Sequence, residues 1–405
     1  MKKYLTTLML KKNIIDSFGN IKPNTEYKSI VLEETKTETL ILVPSEKCNL
    51  HCKYCYEQDK NPEKMNTELA QKSIKKAFDN LQNNMQLKIE FRGGEPFLEF
   101  DFIKEVYDWV IQNYKDKKFF FYAVTNGTCF TSDAKKWLTE HNDIFIAPLS
   151  IDGNKKTQDS NRSNSFDLID FDFILKTWKN PYTYTTIIPE NAITVFNDLL
   201  FLMEKGFTIR ANFEFAMTWT EKQLKLLTQG LKKLADYTLE NKLQTRLNLF
   251  SKYAFFDYNL KDDNIDRKHY ITCNAGKHRR IVAADGCVYP CHTLVPSCFN
   301  HYGKEYGEQL FEKLEKEDIN PEECCNCRFF YLCYICIGFS YSYAKDFKWR
   351  NKSFCDITRV RAFASAYYWG NLLSKKIYTN LTEEEKMIAS KIFDLYMGES
   401  NENCL

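Results

Sequence analysis

The chain has 405 residues, 44% of them hydrophobic, so it is long enough for two domains and can bury a sizeable core. Its 56 lysines and arginines balance 54 aspartates and glutamates, and a net charge of +2 provides no field for gathering nucleic acid or an anionic membrane. The sequence has no run of the ~20 apolar residues that a membrane helix needs, and its N-terminal apolar run lacks a cleavage site. We therefore expect a cytoplasmic protein without nucleic-acid or membrane partners.

The first 38 residues contain two β-rich runs, 4–10 and 29–32, on either side of a turn region. They predict a short N-terminal extension that is too small to be a separate peptide-recognition domain. If the protein recognises a leader peptide, we expect the edge of this extension to bind it as an added strand.

Three cysteines follow the first β-branched run of the next segment. Cys48, Cys52 and Cys55 have the spacing C-x3-C-x2-C. Three thiolates on one loop can bind three irons of a [4Fe-4S] cube and leave the fourth iron open to a small molecule. A zinc site completed by His51 is the alternative, but zinc prefers a closed tetrahedral set, and the usual paired C-x2-C knuckles are missing here.

This cysteine motif, with the aromatic Tyr54 directly before the third cysteine, resembles the radical S-adenosylmethionine (SAM) superfamily. The resemblance implies that the open iron binds the amino and carboxylate groups of SAM. It also implies that an electron from the cube cleaves SAM to give a 5′-deoxyadenosyl radical, which takes a hydrogen atom from the substrate. Exposed clusters of this kind suit a cell that lives without oxygen.

Residues 39–241 alternate short β-rich runs with longer amphipathic runs. The predicted strands are 40–43, 87–91, 119–124, 144–150, 184–188 and 209–215, with helices near 70–81, 101–114, 132–141, 191–205 and 220–240. Six consecutive β/α units predict a parallel sheet, whose active loops lie at the carboxyl ends of the strands. We predict an α/β fold with a partial (β/α)6 barrel, which the radical SAM resemblance also implies, and the three cysteines at its mouth.

A glycine-containing motif follows the second predicted strand. Two glycines in the segment 91–97 let the backbone approach a ligand that any side chain would block. Gly93-Gly94-Glu95-Pro alone would be an ordinary turn, but it resembles the superfamily motif that contacts the SAM amino group. The resemblance implies that Gly93, Gly94 and Glu95 bind SAM.

Small polar residues follow the third and fourth predicted strands. Thr125 and Asn126 follow the third, and Ser150 and Asp152 follow the fourth. Each pair alone would be a turn, but in the peptide-modifying branch these positions resemble contacts to the ribose and methionine ends of SAM. Arg162 resembles the arginine of that branch that pairs with the SAM carboxylate, a task that suits a forked guanidinium. The alternative for this arginine is a surface ion pair.

Ten of the 15 cysteines lie between residues 273 and 355. In a reducing compartment such a number indicates metal binding rather than disulfides. Isolated C-x2-C pairs would suit a zinc ribbon. The spacing instead resembles the SPASM domain of peptide-modifying radical SAM enzymes, which holds two auxiliary [4Fe-4S] clusters.

The SPASM resemblance implies seven ligands, namely Cys324, Cys327, Cys333 and Cys355 for an outer cluster and Cys273, Cys291 and Cys336 for an inner one. The chain departs from the family pattern between Cys333 and Cys336, where two residues stand instead of three. For the inner cluster, two alternatives are open: an unliganded iron, or closure by Cys287. The remaining cysteines, Cys129, Cys298, Cys325 and Cys404, are predicted as ordinary thiols.

The predicted organisation has five segments: an N-terminal extension (1–38), the radical SAM barrel (39–241), a bridging segment (242–270), the SPASM domain (271–360) and a helical tail (361–405). The tail contains a capping-box sequence at Thr382 and Glu385.

The resemblance implies an oxidoreductase that uses three [4Fe-4S] clusters and SAM to modify a ribosomally made, cysteine-containing precursor peptide, with an electron donor such as flavodoxin or ferredoxin. We expect a thioether crosslink from a Cys sulfur to carbon. The sulfatase-maturing branch, which makes formylglycine, places an aspartate after the cysteine matching Cys291, whereas this chain has His292, a candidate catalytic base. The alternatives are formylglycine formation and a non-catalytic iron–sulfur electron carrier, which would need neither an open iron nor the Gly93-Gly94-Glu95 motif.

Overall fold

A computed structural model describes most of the chain, but not its two ends. The described residues are 37–57, 60, 63–241, 247–250, 266–271, 273, 275–295, 306–327, 329–333, 335–374 and the positions 382, 385, 388 and 392. The predicted N-terminal extension up to residue 36, most of the bridging segment and most of the helical tail lie outside them, as do Cys298 and Cys404. The predicted capping box is present, because Glu385 N donates to Thr382 Oγ1 (3.2 Å) and Thr382 N donates to Glu385 Oε2 (3.1 Å).

Short strands alternate with helices along the barrel segment, as the sequence pattern predicts. The strands are β1 (Thr37–Ser45), β2 (Gln86–Gly93), β3 (Phe119–Ala123), β4 (Phe145–Ile146), β5 (Leu149–Ser150), β6 (Tyr182–Ile187), β7 (Thr208–Phe213), β8 (Arg279–Val282) and β9 (Val288–Tyr289).

The strands form two sheets, with the orders β4-β3-β2-β1-β8-β9 and β5-β6-β7. Neighbouring strands are parallel except β8 and β9, which form an antiparallel hairpin. A bridge between Thr125 and Leu149 joins the sheets, so β4 and β5 are two halves of one interrupted strand. Pro148 lies between the halves and cannot donate a ladder hydrogen bond, which explains the interruption. The predicted partial barrel of six parallel β/α units is confirmed.

The helices cover the outer side of the barrel and form much of the C-terminal region. They are α1 (Thr67–Asp79), α2 (Phe100–Asn113), α3 (Ser132–Glu140), α4 (Lys155–Asn161), α5 (Phe171–Thr177), α6 (Val195–Glu204), α7 (Glu221–Glu240), α8 (Tyr306–Lys316), α9 (Glu322–Cys325), α10 (Ile337–Ala344) and α11 (Lys352–Ser374). Side-chain caps fix several starts. Thr220, for example, forms a capping box with Gln223 at the start of α7.

The two faces of the barrel sheet differ in chemistry because side chains alternate along each strand. On the outer face, Phe91, Phe121 and Phe145 are fully buried and stack with ring centroids 5.9 to 6.3 Å apart. Burying each such ring contributes roughly 1.5–3 kcal/mol to stability. The residues between them, such as Glu90 and Tyr122, point to the inner face.

The C-terminal region joins the barrel through two contacts that the sequence pattern did not predict. The hairpin β8-β9 lies beside β1, where Leu40 pairs with Arg280 and Leu42 with Val282. Helix α11 packs along α7, and Tyr367 of α11 donates to Asp236 of α7 (2.9 Å). This helix runs without a break across the predicted boundary between residues 360 and 361. In the part of the chain that the structure describes, no helix is both long and apolar enough to cross a membrane.

Candidate iron–sulfur and SAM site

The loop carrying Cys48, Cys52 and Cys55 leaves the carboxyl end of β1 and is folded tightly on itself. Cys55 N donates to Cys52 O (3.1 Å), and Leu50 N donates to Cys48 Sγ (3.4 Å). Lys53 N donates to the carbonyl at the end of α4 (3.0 Å), which ties the loop to the opposite side of the barrel mouth. The loop therefore has the position that the sequence predicts.

The three thiols of this loop are partly buried and near one another. Burial raises the pKa of Cys48 and of Cys52, and it raises the pKa of Cys55 to about 11. The Cys52 thiol also raises the pKa of the other two cysteines. A bound cation is what would hold such thiols as thiolates. Three soft thiol donors on one loop with the spacing C-x3-C-x2-C suit three irons of a cube better than a closed tetrahedral zinc site.

Close packing within the protein explains the two glycines at the end of β2. A Cβ added at Gly94 would lie 2.2 Å from Lys47 O. A Cβ added at Gly93 would lie 2.1 Å from Ser45 O, and Gly93 also has a positive φ of +130°. Glu95 N also donates to Lys47 O (2.8 Å). The motif therefore packs directly against the start of the cysteine loop and fixes its path. Its predicted contact with the SAM amino group is a proposal.

The Glu95 carboxylate points inward and ties two strand ends together. It accepts from Thr125 Oγ1 (2.7 Å), from Asn126 N (2.7 Å) and from Phe97 N (3.2 Å). Burial raises its pKa to about 7, against the opposing effect of these hydrogen bonds. Asn126 in turn donates to Asn49 Oδ1 in the cysteine loop (2.9 Å). The structure thus brings together the predicted residues at the ends of β2 and β3.

Asp152 is the centre of a buried network at the end of β5. Its side chain is fully buried and accepts from Tyr54 OH, Asn161 Nδ2 (3.1 Å), Arg162 Nη2 (3.1 Å) and Thr186 N (3.0 Å). These bonds join the cysteine loop, α4 and β6. Ser150 lies at the end of β5, where its N–H donates to Thr125 O (2.7 Å).

Arg162 is buried rather than on the surface, which excludes the surface ion pair considered from the sequence. Burial opposes its charge, but the attraction of Asp152 outweighs burial and raises the pKa of the guanidinium, and Tyr54 and Cys52 act in the same direction. Its Nε has no hydrogen-bond partner among the described residues, and neither does Oδ1 of the preceding Asn161. Buried donors and acceptors are normally paired.

These residues fit a cluster-bound SAM. The Cys48 loop offers soft thiol donors, which suit iron–sulfur chemistry. The unpartnered Arg162 Nε can donate to a carboxylate, and the unpartnered Asn161 Oδ1 can accept from an amino group. SAM carries both groups.

The cysteines predicted for the outer cluster lie together. Burial raises the pKa of Cys324 and of Cys355, and it raises the pKa of Cys333 to about 11. Other thiols of the same group raise each of these pKa values further. Cys327 contributes to all three shifts. Thr358 Oγ1 donates to Cys333 Sγ (3.5 Å), and the nearby Arg350 lowers the pKa of Cys324. Sequence reasoning missed Arg350 and Thr358, because neither stands in a recognisable motif.

The cysteines predicted for the inner cluster also lie together. Burial raises the pKa of Cys273, and it raises the pKa of Cys336 to about 12. The nearby Cys291 thiol is the second-largest cause of both increases. Thr293 Oγ1 stands between two of the thiols, 3.2 Å from Cys291 Sγ and 4.0 Å from Cys336 Sγ. Cys287 belongs to the turn before β9 and packs against the apolar cluster that contains Cys291. Closure of the inner cluster by Cys287 and an open iron both stay proposals.

Two cysteines predicted as ordinary thiols have contacts of their own. Cys325 Sγ donates to Asn320 O at 3.7 Å, and Cys129 lies 3.7 Å from Thr128 Oγ1 at the edge of the barrel core.

His292 begins a short 3-10 turn directly after Cys291 and lies against the barrel. Its ring centroid is 5.3 Å from that of Tyr56, which follows Cys55. Burial lowers the pKa of His292 well below its usual value, and the cations Arg92 and Arg279 act in the same direction. The imidazole is therefore neutral. The Tyr56 contact joins the cysteine loop to the inner thiol group.

A partial parallel barrel with a three-cysteine loop beyond β1 defines the class of the protein, an iron–sulfur protein of radical SAM architecture. Residues 39–169 match the family described as the 4Fe-4S single cluster domain. Over these residues the chain is similar to that 4Fe-4S family.

Curated relatives span most of the chain. A cysteine-type anaerobic sulfatase-maturating enzyme of Clostridium novyi is 25% identical over 341 residues, which are 74% of this chain and 87% of the relative. The radical SAM cyclopropyl synthase TigE of Paramaledivibacter caminithermalis is 24% identical over 353 residues, which are 79% of this chain and 72% of the relative.

Solved structures share the fold. Native anSMEcpe with bound AdoMet and Cp18Cys peptide has a TM-score of 0.64 at 22% identity, covering 84% of this chain and 99% of that chain. Streptococcus suis SuiB bound to precursor peptide SuiA has a TM-score of 0.57 at 16% identity, covering 79% of this chain and 76% of that chain.

Proposed function

We propose that the protein is a peptide-modifying radical SAM enzyme that forms a thioether crosslink between a Cys sulfur and a carbon of a ribosomally made precursor peptide. The observation that carries this proposal is the contact between Tyr56 and His292, which joins the Cys48 loop to the inner thiol group beside the barrel interior. Two proteins of the same fold were solved with peptides, Cp18Cys and SuiA, which supports a peptide substrate.

The cysteine groups would hold three [4Fe-4S] clusters. Cys48, Cys52 and Cys55 would bind the cluster that receives SAM, and the outer and inner groups would bind the auxiliary pair. When bound, this cluster and SAM supply radical hydrogen-atom abstraction. An electron donor such as flavodoxin or ferredoxin would supply the reducing electron.

In this proposal, the chain's own residues bind SAM and fix its orientation. Asp152 holds Tyr54 and Arg162 in one network, so the Arg162 Nε is directed by a buried ion pair rather than by a flexible side chain. Glu95 fixes Asn126 beside the cysteine loop. We assign Arg162 to the SAM carboxylate and the Gly93-Gly94 segment to the amino end.

Thioether formation breaks one C–H bond and one S–H bond and makes one C–S bond. One hydrogen atom, one proton and one electron leave the peptide. His292, which adjoins Cys291, is the candidate base from the sequence, but its lowered pKa makes it a weak proton acceptor. The auxiliary cysteine groups provide a ligand set for accepting the electron.

Formylglycine formation is the second candidate, because relatives from Clostridium novyi and Clostridium perfringens are cysteine-type anaerobic sulfatase-maturating enzymes. The residue after Cys291 distinguishes the candidates, since we expect aspartate there in that branch and this chain has His292.

Product mass tests the proposal. The reconstituted enzyme is incubated anaerobically with SAM, reductant and a short Cys-bearing peptide encoded beside its gene. A crosslink predicts the loss of two hydrogens per site and no reaction with an aldehyde reagent. An aldehyde at the cysteine position would establish formylglycine formation instead, and an unchanged peptide despite SAM cleavage would show that the substrate assignment is wrong.

The Cys287 alternatives are tested by the Cys287→Ala variant. Three intact clusters in this variant would exclude closure by Cys287. Iron loss confined to the inner cluster would exclude an open iron.

A further inference from the structure

The inner face of the barrel carries charged and aromatic side chains instead of an apolar filling. Alternation along β2, β3, β6 and β7 points six side chains inward: Glu90, Arg92, Tyr122, Tyr182, Tyr184 and Arg210. Tyr122 OH of β3 and Tyr184 OH of β6 lie 2.8 Å apart across the intervening strand β4–β5. These inward side chains are therefore close neighbours on one face of the barrel sheet.

The one carboxylate of this set is already occupied. Glu90 is paired with Lys88, whose Nζ lies 2.6 Å from Oε2, and with Arg92 through Oε1. Two cations against one anion give the inner face of β2 a net positive charge before Arg210 is counted.

Arg210 adds a second, separate positive charge. Its guanidinium carbon lies 4.4 Å from the Tyr182 ring centroid and 5.9 Å from that of Tyr184. Nη1 is 3.4 Å from Tyr184 OH, a weak contact with a neutral group. No ion pair among the described residues includes Arg210, although its side chain is exposed to the barrel space.

The tyrosines hold this guanidinium in a defined orientation. A guanidinium stacked on aromatic faces keeps its N–H groups directed outward in its plane, where they can fork onto a carboxylate. Tyr122 braces Tyr184 through the hydroxyl contact and is itself covered by Lys88 Nζ at 3.6 Å from its ring centroid.

The position of Arg210 suits a substrate rather than the cofactor. Arg210 pairs in register with Tyr184, two residues before Thr186, which contacts Asp152. Two residues of a strand span about 7 Å. Arg210 thus lies one layer deeper in the barrel than the network around Asp152.

We propose that Arg210 binds a carboxylate of the peptide substrate inside the barrel, which selects peptides with an acidic group near the reacting cysteine. This proposal rests on the proposed peptide-modifying function. The carboxylate comes either from an Asp or Glu side chain or from the C-terminus of the peptide, and both present the same fork of two oxygens.

Three dye-labelled probe peptides separate these sources: Ala-Cys-Gln-Ala amide, Ala-Cys-Glu-Ala amide, and Ala-Cys-Gln-Ala with a free C-terminal carboxylate. Their binding to the cluster-loaded enzyme is measured by fluorescence anisotropy with SAM present and without reductant. The wild type should bind one of the two carboxylate probes about 10-fold more tightly than the neutral probe, as expected for a charge-assisted pair.

Arg210→Gln should remove this preference while SAM binding and circular dichroism are unchanged. Lys205→Gln is the matched control, because Lys205 is also a cation over two aromatic rings, Phe171 and Phe201, but stands at the end of α6 outside the barrel. This control should keep the preference.

The proposal is overturned if the wild type shows no preference, if Arg210→Gln keeps it, or if the preference is seen only without SAM. The last result would assign the site to the SAM carboxylate. Because the assay needs no turnover, failure of the peptide-modifying function would appear separately, as an unchanged product mass.

Discussion

Asp152 shows how much of the site depends on single buried residues. Four donors from three parts of the barrel meet on its carboxylate. The sequence marked Asp152 as a polar residue at a strand end, and Arg162 through its resemblance to an arginine that pairs with the SAM carboxylate. It did not predict that they pair with each other, because that contact depends on how α4 returns over the sheet.

Replacing Asp152 with alanine should destabilise the protein by about 3 kcal/mol, because it leaves the buried Arg162 charge without its partner. SAM affinity should fall as well, since Arg162 and Tyr54 lose their common anchor. Urea unfolding and SAM binding measure the two effects.

Asp167→Asn is the matched control, because Asp167 pairs with Lys155 at the exposed surface. Its stability should equal that of the wild type. Equal stabilities for Asp152→Ala and the wild type would contradict the role of the network.

Among the secondary-structure elements, the strands and helices with a clear hydrophobic period could be predicted from the sequence, and the short strands could not. Six β/α units follow from the alternation of buried residues, and only the break at Pro148 changes the fourth strand. The hairpin β8-β9 could not be predicted, because its strands have only four and two residues and β8 pairs with β1 across more than 200 residues of chain. The two glycines were predicted as ligand-approach residues, yet their closest neighbours are backbone atoms of the cysteine loop.

Gly94→Ala should therefore displace the cysteine loop. The new Cβ would lie 2.2 Å from Lys47 O and 2.4 Å from Glu46 O, far inside contact distance and against backbone that cannot rotate away. We expect reduced iron content and loss of SAM cleavage, measured by iron analysis and 5′-deoxyadenosine release.

Gly206→Ala separates steric clash from backbone strain. Gly206 has a φ of +101°, but an added Cβ would meet only Leu175 at 3.9 Å. This variant should lose about 1 kcal/mol of stability and keep its iron. Normal iron content in Gly94→Ala would show that the motif does not position the loop.

At the scale of the whole molecule, thiols that the resemblance assigns to one cluster raise one another's pKa, while the ligand sets themselves stay a proposal. Cys324 and Cys325 are neighbours in sequence, but only Cys324 is affected by Cys327 and Cys355. Spacing alone could not separate them, and the family pattern did. The acidic-group preference proposed for Arg210 had no sequence signal, because it depends on which face of β7 points inward.

Cys324→Ala should lose about four of the roughly 12 irons expected for three clusters, because it removes one ligand of the outer group. Cys325→Ala, one residue away, should keep them all. Iron and sulfide analysis with Mössbauer spectroscopy measures the difference. Equal iron loss in both variants would refute the proposed outer ligand set.

The proposed reaction begins with hydrogen abstraction from a carbon of a Cys-bearing peptide. The most direct measurement uses the peptide encoded beside the gene, with deuterated side chains at every residue except cysteine. We predict deuterium in the released 5′-deoxyadenosine and a crosslinked peptide that has lost one deuterium and one hydrogen. Cleavage of SAM without deuterium transfer, with the peptide unchanged, would contradict it.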